Sequence, residues 1–127
     1  MLFRSGDIRV QGNAEMYEGV NAVIQLAAIS NDPMGKEFES VTHEVNTEAV
    51  YQSALQAKNA GVSHFVFASS CSVYGAGGSD AKSETAGLNP LTAYANSKVN
   101  AEERLKELAD DQFIVTCLRF EIGRAHV

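Results

Sequence analysis

Residues 64–75, with the sequence HFVFASSCSVYG, decide the fold of this chain. The first residues of this stretch are almost continuously apolar, and residues 22–28 (AVIQLAA) and 113–118 (FIVTCL) have the same character. Short apolar runs of this kind are typical of strands that are covered on both faces of a sheet. Because helical patterns separate the runs, the sequence predicts an α/β fold with repeated βα units, a parallel sheet and all three runs as central strands.

Two helices are predicted between these strands. Gly61 follows the first helix, and we expect it to cap the C-terminus. The apolar positions of the first helix are Val41, Val45, Ala49, Val50, Ala54 and Leu55. One face of the second helix carries Tyr94, Lys98, Ala101, Leu105 and Leu108. Its solvated side is expected to carry Glu102, Glu103, Arg104, Lys106 and Glu107.

Composition excludes several classes of protein. The chain has 127 residues, 45% of them hydrophobic, and a net charge of −6, which suits a folded domain with a core. No apolar run approaches the roughly 18 residues of a membrane span, and the acidic balance argues against nucleic acid or an anionic membrane as a partner. The two Cys and three His form neither CxxC nor HxxxH pairs, so we expect no disulfide framework and no metal site. These features predict a reduced, cytoplasmic α/β protein.

Residues 94–98 (YANSK) carry the chemistry. Tyr94 and Lys98 are at i and i+4, so they are neighbours on one helix face. The preceding strand ends in Ser69 and Ser70, and ligands of open parallel sheets bind outside the carboxyl ends of the strands. A hydroxyl, a phenol and an ammonium can therefore converge at this edge of the sheet.

Such a convergence suits hydride transfer at an alcohol or ketone, because a proton must move at the oxygen while hydride moves at the carbon. A free phenol has a pKa of about 10. A unit charge at about 4 Å, with an effective dielectric constant of about 20, contributes roughly 4 kcal/mol and can lower that pKa by about three. We therefore expect Lys98 to tune Tyr94 for proton transfer and Ser70 to hold the reacting oxygen.

These motifs together resemble the extended short-chain dehydrogenase/reductases of the NAD-dependent epimerase/dehydratase family, over nearly all of residues 6–120. The resemblance implies a doubly wound parallel sheet of Rossmann type, here without its first βα units and without a substrate domain. It implies NAD as the cofactor, with NADP as the alternative, and a nucleotide-sugar substrate. A homodimer of the whole enzyme, formed through the two predicted helices, is also implied.

The resemblance assigns roles to individual residues. It makes Ser70 the catalytic hydroxyl, Tyr94 the general acid/base, and Lys98 both the tuning cation and a ligand of the nicotinamide ribose. Asn46 matches a frequent family Asn with a mostly structural role. The cofactor-binding residues that it implies, besides Tyr94 and Lys98, are Asp7 and Ile8 beside the adenine, Leu26, Ala27 and Ala28 along the ribose and pyrophosphate, and Ser69.

Departures from the family pattern reduce the number of reactions that fit this chain. Sugar 4,6-dehydratases of the family carry Asp and Glu directly after the catalytic hydroxyl, where this chain has Cys71 and Ser72. Neither side chain is a useful additional acid or base near neutral pH. With dehydration disfavoured, two kinds of reaction still fit. One is epimerisation through a keto intermediate, and the other is net reduction or oxidation of the substrate. Gln25 stands where many members of the family have His, and Ser30 stands where galactose epimerases have a Lys that contacts the cofactor. These two differences argue against a UDP-galactose 4-epimerase. The alternatives are a ketone or aldehyde reductase and a non-catalytic NAD(P)-binding protein.

Both ends of the chain resemble non-native flanks. Residues 121–127 (EIGRAHV) back-translate, with one choice of codons, to GAGATCGGAAGAGCACACGTC, which resembles a common sequencing-library adapter. The reverse complement contains GTGCTCTTCCGATCT, which reads as residues 1–5 (MLFRS) if GTG is a start codon. We therefore expect residues 1–5 and 121–127 to be adapter-derived and residues 6–120 to be part of a longer protein, with some core surface exposed.

Overall fold

The computed structural model describes residues 6–10, 14–30, 37–76 and 81–121. Residues 1–5 and 122–127, which make up the two expected adapter-derived flanks except for Glu121, lie outside the described residues. The elements are a 3-10 turn (Ala14–Tyr17), β1 (Ala22–Gln25), α1 (Glu39–His43), a π-helical turn (Glu44–Glu48), α2 (Ala49–Asn59), β2 (His64–Ser70), a second 3-10 turn (Cys71–Tyr74), α3 (Ala93–Leu108) and β3 (Ile114–Phe120).

The strands form one parallel sheet in the order β1-β2-β3. The predicted parallel α/β fold of Rossmann type is therefore confirmed. Two details of the prediction are wrong. Strand β1 ends at Gln25, so Leu26, Ala27 and Ala28 follow the strand instead of forming its end. Within the described part of the chain only β2 lies between two neighbours, so β1 and β3 are edge strands and not central ones.

The helices cover one face of the sheet. Phe65 and Phe67 of β2 point to this side and are buried with Phe113, Val50 of α2 and Leu105 of α3. Burying side chains of this size is the main favourable term in folding.

The opposite face of the sheet is apolar but uncovered by the described residues. Ile24 is 67% exposed, Ile114 is 49% exposed and Phe120 is 54% exposed. The nearly continuous apolar character of these strands predicted cover on both faces, and the described residues supply it on one.

Gly61 ends α2 as predicted. Its φ is +85°, a conformation that L side chains avoid. The Gly61 N–H donates to the Lys58 carbonyl and the Val62 N–H donates to the Ala57 carbonyl, both over 3.0 Å. This is the Schellman pattern of bonds, and it turns the chain so that buried Val62 leads into β2.

Thr92 begins α3. Its hydroxyl accepts a hydrogen bond from the Ala95 N–H over 3.1 Å, which satisfies one of the free N–H groups at a helix start. Tyr94 therefore lies in the first turn of α3, next to the sheet. No helix of the described segments combines the length and apolar character needed to cross a bilayer.

Candidate active site

Lys98 joins α3 to the central strand. Its side chain is 3% exposed, and Nζ donates to the Ala68 carbonyl oxygen over 2.9 Å. Nζ also lies 4.7 Å from the centroid of the Phe67 ring and 5.6 Å from that of the Tyr94 ring. The structure thus brings Tyr94 and Lys98 together on the helix face that the sequence predicted.

Burial changes the acidity of this lysine. Removal from water lowers the pKa of Lys98 to about 8, and the charge of Glu102 opposes that decrease. A buried ammonium is disfavoured because a low-dielectric environment solvates charge poorly. Lys98 is still mostly protonated at pH 7, so it presents a positive charge beside the Tyr94 ring.

Ser70 and Ser69 end β2 and point to opposite faces, as successive strand residues do. Ser70 is buried, and its Oγ accepts from the Ser72 N–H over 3.2 Å and from the Ser72 hydroxyl over 3.0 Å. Ser69 donates its hydroxyl to Glu102. The Ser70 oxygen therefore caps the 3-10 turn, while Ser69 is turned towards α3 and its role at a cofactor stays a prediction.

Asp7, Ile8 and Ala27 line one open groove of about 570 Å³, together with Gly6. A smaller cavity of about 170 Å³ adjoins it, and Gln25 lines that cavity with the same residues. The structure therefore brings three of the predicted cofactor-binding residues to one place. Leu26 and Ala28 are not among the residues that line either space, and Leu26 is 67% exposed.

The Asp7 carboxylate is held by Arg9. Arg9 donates to it from Nε, over 3.0 and 3.1 Å, and from its terminal NH2 over 2.6 Å. These hydrogen bonds lower the pKa of Asp7 to about 2. The carboxylate is therefore ionised at any ordinary pH and acts as an acceptor at the rim of the groove.

Asn46 connects the segment after β1 to α3. It is fully buried in the π-helical turn. Its Oδ1 accepts from the Ile29 N–H over 2.8 Å, and its Nδ2 donates to the Ile29 carbonyl over 2.9 Å and to Ser97 Oγ over 3.1 Å. Asn46 therefore has a structural role: it holds the segment that contains Ile29 next to α3.

The prediction that Glu102 lies on the solvated side of α3 is wrong. Its side chain is 10% exposed and forms an ion pair with Arg119 of β3, whose side chain is 18% exposed, with 2.6 Å between the closest atoms. Arg119 also donates to the Tyr74 hydroxyl over 2.8 Å. The four-residue step from Lys98 to Glu102 was a signal for this position, but the partner on β3 could not be inferred from helical spacing.

A third space opens at the carboxyl ends of β2 and β3. It measures about 730 Å³, and Cys71, Tyr74 and Arg119 are among the residues that line it. Ligands of open parallel sheets bind at this edge. The sequence pointed to the segment that follows β2, which includes Tyr74, but gave no indication of Arg119. In the described ranges, no group of His, Cys, Asp and Glu could hold a metal ion.

A parallel α/β layer with a Tyr–Lys helix packed against its central strand defines a Rossmann-type domain. Comparison with known families is more specific, because the pattern of the family described as "NAD dependent epimerase/dehydratase family" matches residues 3–121. The chain belongs to this family.

Individual relatives agree with that assignment. The chain is 36% identical over 117 residues to UDP-glucose 4-epimerase of Vibrio cholerae, a match that covers 87% of this chain and 35% of that protein. It is similar to the dTDP-glucose 4,6-dehydratase DesIV of Streptomyces venezuelae with NAD bound, at 30% identity and a TM-score of 0.85 over 90% of this chain and 36% of that one. It is also similar to MoeE5 in complex with UDP-glucose and NAD, at 28% identity and a TM-score of 0.84 over 91% and 39%. The chain thus spans little more than a third of these relatives.

Proposed function

We propose that the protein carrying this chain is an NAD(P)-dependent epimerase or oxidoreductase that acts at a carbinol of a nucleotide-activated sugar. The observation that carries the proposal is the buried ammonium of Lys98, which lies 5.6 Å from the centroid of the Tyr94 ring and is bonded to the central strand. A helix-surface aromatic–cation pair would leave the lysine in water. Here the Lys98 ammonium is buried beside the Tyr94 ring and is held there by the central strand.

The residues of the groove fit the adenine end of a nicotinamide cofactor. Asp7, Ile8 and Ala27 line it together, and the ionised Asp7 can accept a hydrogen bond from the exocyclic amine while Ile8 packs on the ring. When bound, the cofactor supplies a hydride acceptor and donor. Asp7, Ile8 and Ala27 would hold it at one end, and Lys98 would contact its nicotinamide ribose.

Tyr94 is the residue that moves the proton. A phenol is one of the side chains that can act as a general acid or base, so Tyr94 would take the proton of a carbinol and return it to a carbonyl. Ser70 lies at the end of β2 with its hydroxyl oxygen accepting from Ser72. It would hold the reacting oxygen of the substrate beside Tyr94, which is the positioning that proton transfer needs.

The names of the relatives support the substrate class, and the residues of the site support the reaction class. The names of the similar proteins contain UDP-glucose and dTDP-glucose, which supports a nucleotide sugar. Cys71 and Ser72 follow Ser70, and neither side chain can serve as the additional acid or base that dehydration needs. We propose redox chemistry at one carbon of the sugar. If the hydride returns to the same carbon, the result is epimerisation; if it does not, the result is net oxidation or reduction.

Substitution of Tyr94 tests the proposal in the protein that carries this domain. Tyr94→Phe removes the proton carrier but keeps the ring, so kcat should fall about 10³-fold while the Kd for NAD stays nearly unchanged. Tyr51→Phe is the matched control, because Tyr51 stacks on Arg104 away from the site. Unchanged turnover in Tyr94→Phe would overturn the assignment. NAD binding with no turnover of any nucleotide sugar or ketone by the unmodified protein would identify a non-catalytic relative.

A further inference from the structure

Glu102 stands out because it is a nearly buried carboxylate that the proposed chemistry does not use. It lies one helical turn beyond Lys98 on α3, so the side chains of Tyr94, Lys98 and Glu102 follow one another along the same helix face. Its side chain is 10% exposed, although a carboxylate is costly to bury without partners. The partners that stabilise it come from two strands of the sheet.

Arg119 and Ser69 hold the Glu102 carboxylate from neighbouring strands. Arg119 donates from Nε to both carboxylate oxygens, over 3.0 and 3.2 Å, and from its terminal NH2 over 2.6 Å. Paired contacts of this kind fix the plane of a carboxylate as well as its distance. Ser69 adds its hydroxyl, and Ser69 and Arg119 are partners in the register of β2 and β3. Glu102 therefore bridges α3 to the carboxyl ends of two strands.

We propose that Glu102 is a positioning residue that acts through Lys98: Arg119 and Ser69 fix its carboxylate, which supplies negative charge to the buried ammonium and ties α3 to the end of β2. The inference rests on the proposed function for the role of Lys98 in the reaction. The contacts of Glu102 are independent of that role.

The other groups that face Lys98 do not supply this charge. On β2 they are the Ala68 carbonyl, which accepts from Nζ, and the Phe67 ring at 4.7 Å. On α3 the Tyr94 ring lies at 5.6 Å. Burial lowers the pKa of Lys98 to about 8 and Glu102 is the charged group that raises it.

On the neighbouring described elements, the other charged and titratable groups considered are either paired or neutral. Arg119 of β3 is paired with Glu102 itself. The Cys117 thiol, also on β3, has its pKa raised by burial to about 11, so it is neutral near pH 7. Glu48 of the π-helical turn is paired with Arg104. Among the described residues, Glu102 is the carboxylate one helical turn from Lys98 on α3, and its charge raises the pKa of Lys98.

Lysine titration by NMR tests the proposal on the chain itself. Lys98 is followed through its side-chain ¹³Cε signal, assigned with Lys98→Arg, in the unmodified chain and in Glu102→Gln. We expect Lys98 to titrate at lower pH in Glu102→Gln, with a roughly tenfold larger neutral fraction at a given pH, which corresponds to a pKa lower by about one. Glu103→Gln, which changes the exposed neighbouring residue, should leave the titration of Lys98 where it is. An unchanged or higher pKa of Lys98 in folded Glu102→Gln would overturn the proposal.

Two further measurements keep the test decisive. If Glu102→Gln does not fold, Glu102→Asp is used instead, because it keeps the charge but shortens the side chain by one methylene. Lys98 must then titrate at lower pH than in the unmodified chain. An equal or higher pKa of Lys98 in Glu102→Asp overturns the proposal. In the whole enzyme, Glu102→Gln should shift the pH profile of kcat while changing KM little. Because the NMR titration needs no turnover, an inactive enzyme would overturn the proposed function and leave the result on Glu102 to be decided separately.

Discussion

Asn46 donates a hydrogen bond from Nδ2 to Oγ of Ser97 over 3.1 Å, across 51 positions of the sequence. The same side chain contacts both the N–H and the carbonyl of Ile29, and Ser97 donates in turn to the Tyr94 carbonyl over 2.7 Å. One buried amide thus joins the segment after β1 to the beginning of the helix that carries Tyr94 and Lys98.

Asn46→Ala should therefore destabilise the fold. It removes three hydrogen bonds and leaves the N–H and carbonyl of Ile29 without this partner, which costs about 2–4 kcal/mol in the free energy of unfolding. Urea unfolding measures the difference. Asn100→Ala is the control, because Asn100 is exposed on α3 and its loss should change stability by no more than about 0.5 kcal/mol. Equal stability of the two variants would contradict a positioning role for Asn46.

Three glycines should differ in their tolerance of a methyl group. Gly75 has a φ of +79°, and an added Cβ would lie 2.3 Å from the Asn89 carbonyl oxygen. Gly61 has a φ of +85° but open space, and Gly87 has open space without a positive φ. Gly75→Ala should cost more than about 2 kcal/mol, Gly61→Ala about 1 kcal/mol, and Gly87→Ala close to nothing. Thermal or urea unfolding gives the order, and a Gly75→Ala variant as stable as Gly87→Ala would show that the close approach to Asn89 is wrong.

The buried Lys98 should make stability depend on alkaline pH. In the folded chain its pKa is about 8 against an ordinary value of 10.5, so between these values the unfolded chain binds more protons. Stability must then rise as pH increases from about 8 to 10.5. Relative to Lys98→Met, which has no such group, the free energy of unfolding should increase by roughly 3 kcal/mol over that range. Urea unfolding at several pH values measures this difference, and a flat or falling difference would contradict the burial of the ammonium.

Asp7 should contribute to cofactor affinity in the protein that carries this domain. Asp7→Asn removes the ionised acceptor from the groove, and we expect the Kd for NAD to increase about tenfold. AMP should be affected as strongly as NAD, because the change concerns the adenine end. Glu44→Gln is the control: Glu44 also approaches Arg9, at 3.8 Å, but does not line the groove. Calorimetric titration that finds equal Kd values for Asp7→Asn and the unmodified protein would remove Asp7 from the binding site.

Much of the fold could be predicted from local patterns. The apolar runs identified all three strands, and the spacing of Tyr94, Lys98 and Leu105 gave α3 and its buried face. The errors came where neighbours in space decide. Strand β1 stops at Gln25, and the side chain of Gln25 donates to the Ala27 carbonyl over 3.2 Å just beyond the strand end. Periodicity does not reveal such an end, because the residues that follow are equally apolar.

The candidate site also has features that follow from the sequence and features that depend on the tertiary structure. The sequence by itself determined that a phenol and an ammonium share one helix face, because residues at i and i+4 are neighbours on any α-helix. Only the tertiary structure decided that Lys98 is buried against Ala68 and that Glu102 meets Arg119 and Ser69. Those partners come from two strands whose relative position is set by register and by the packing of α3, and such long-range contacts leave no period in the chain from which they could be inferred.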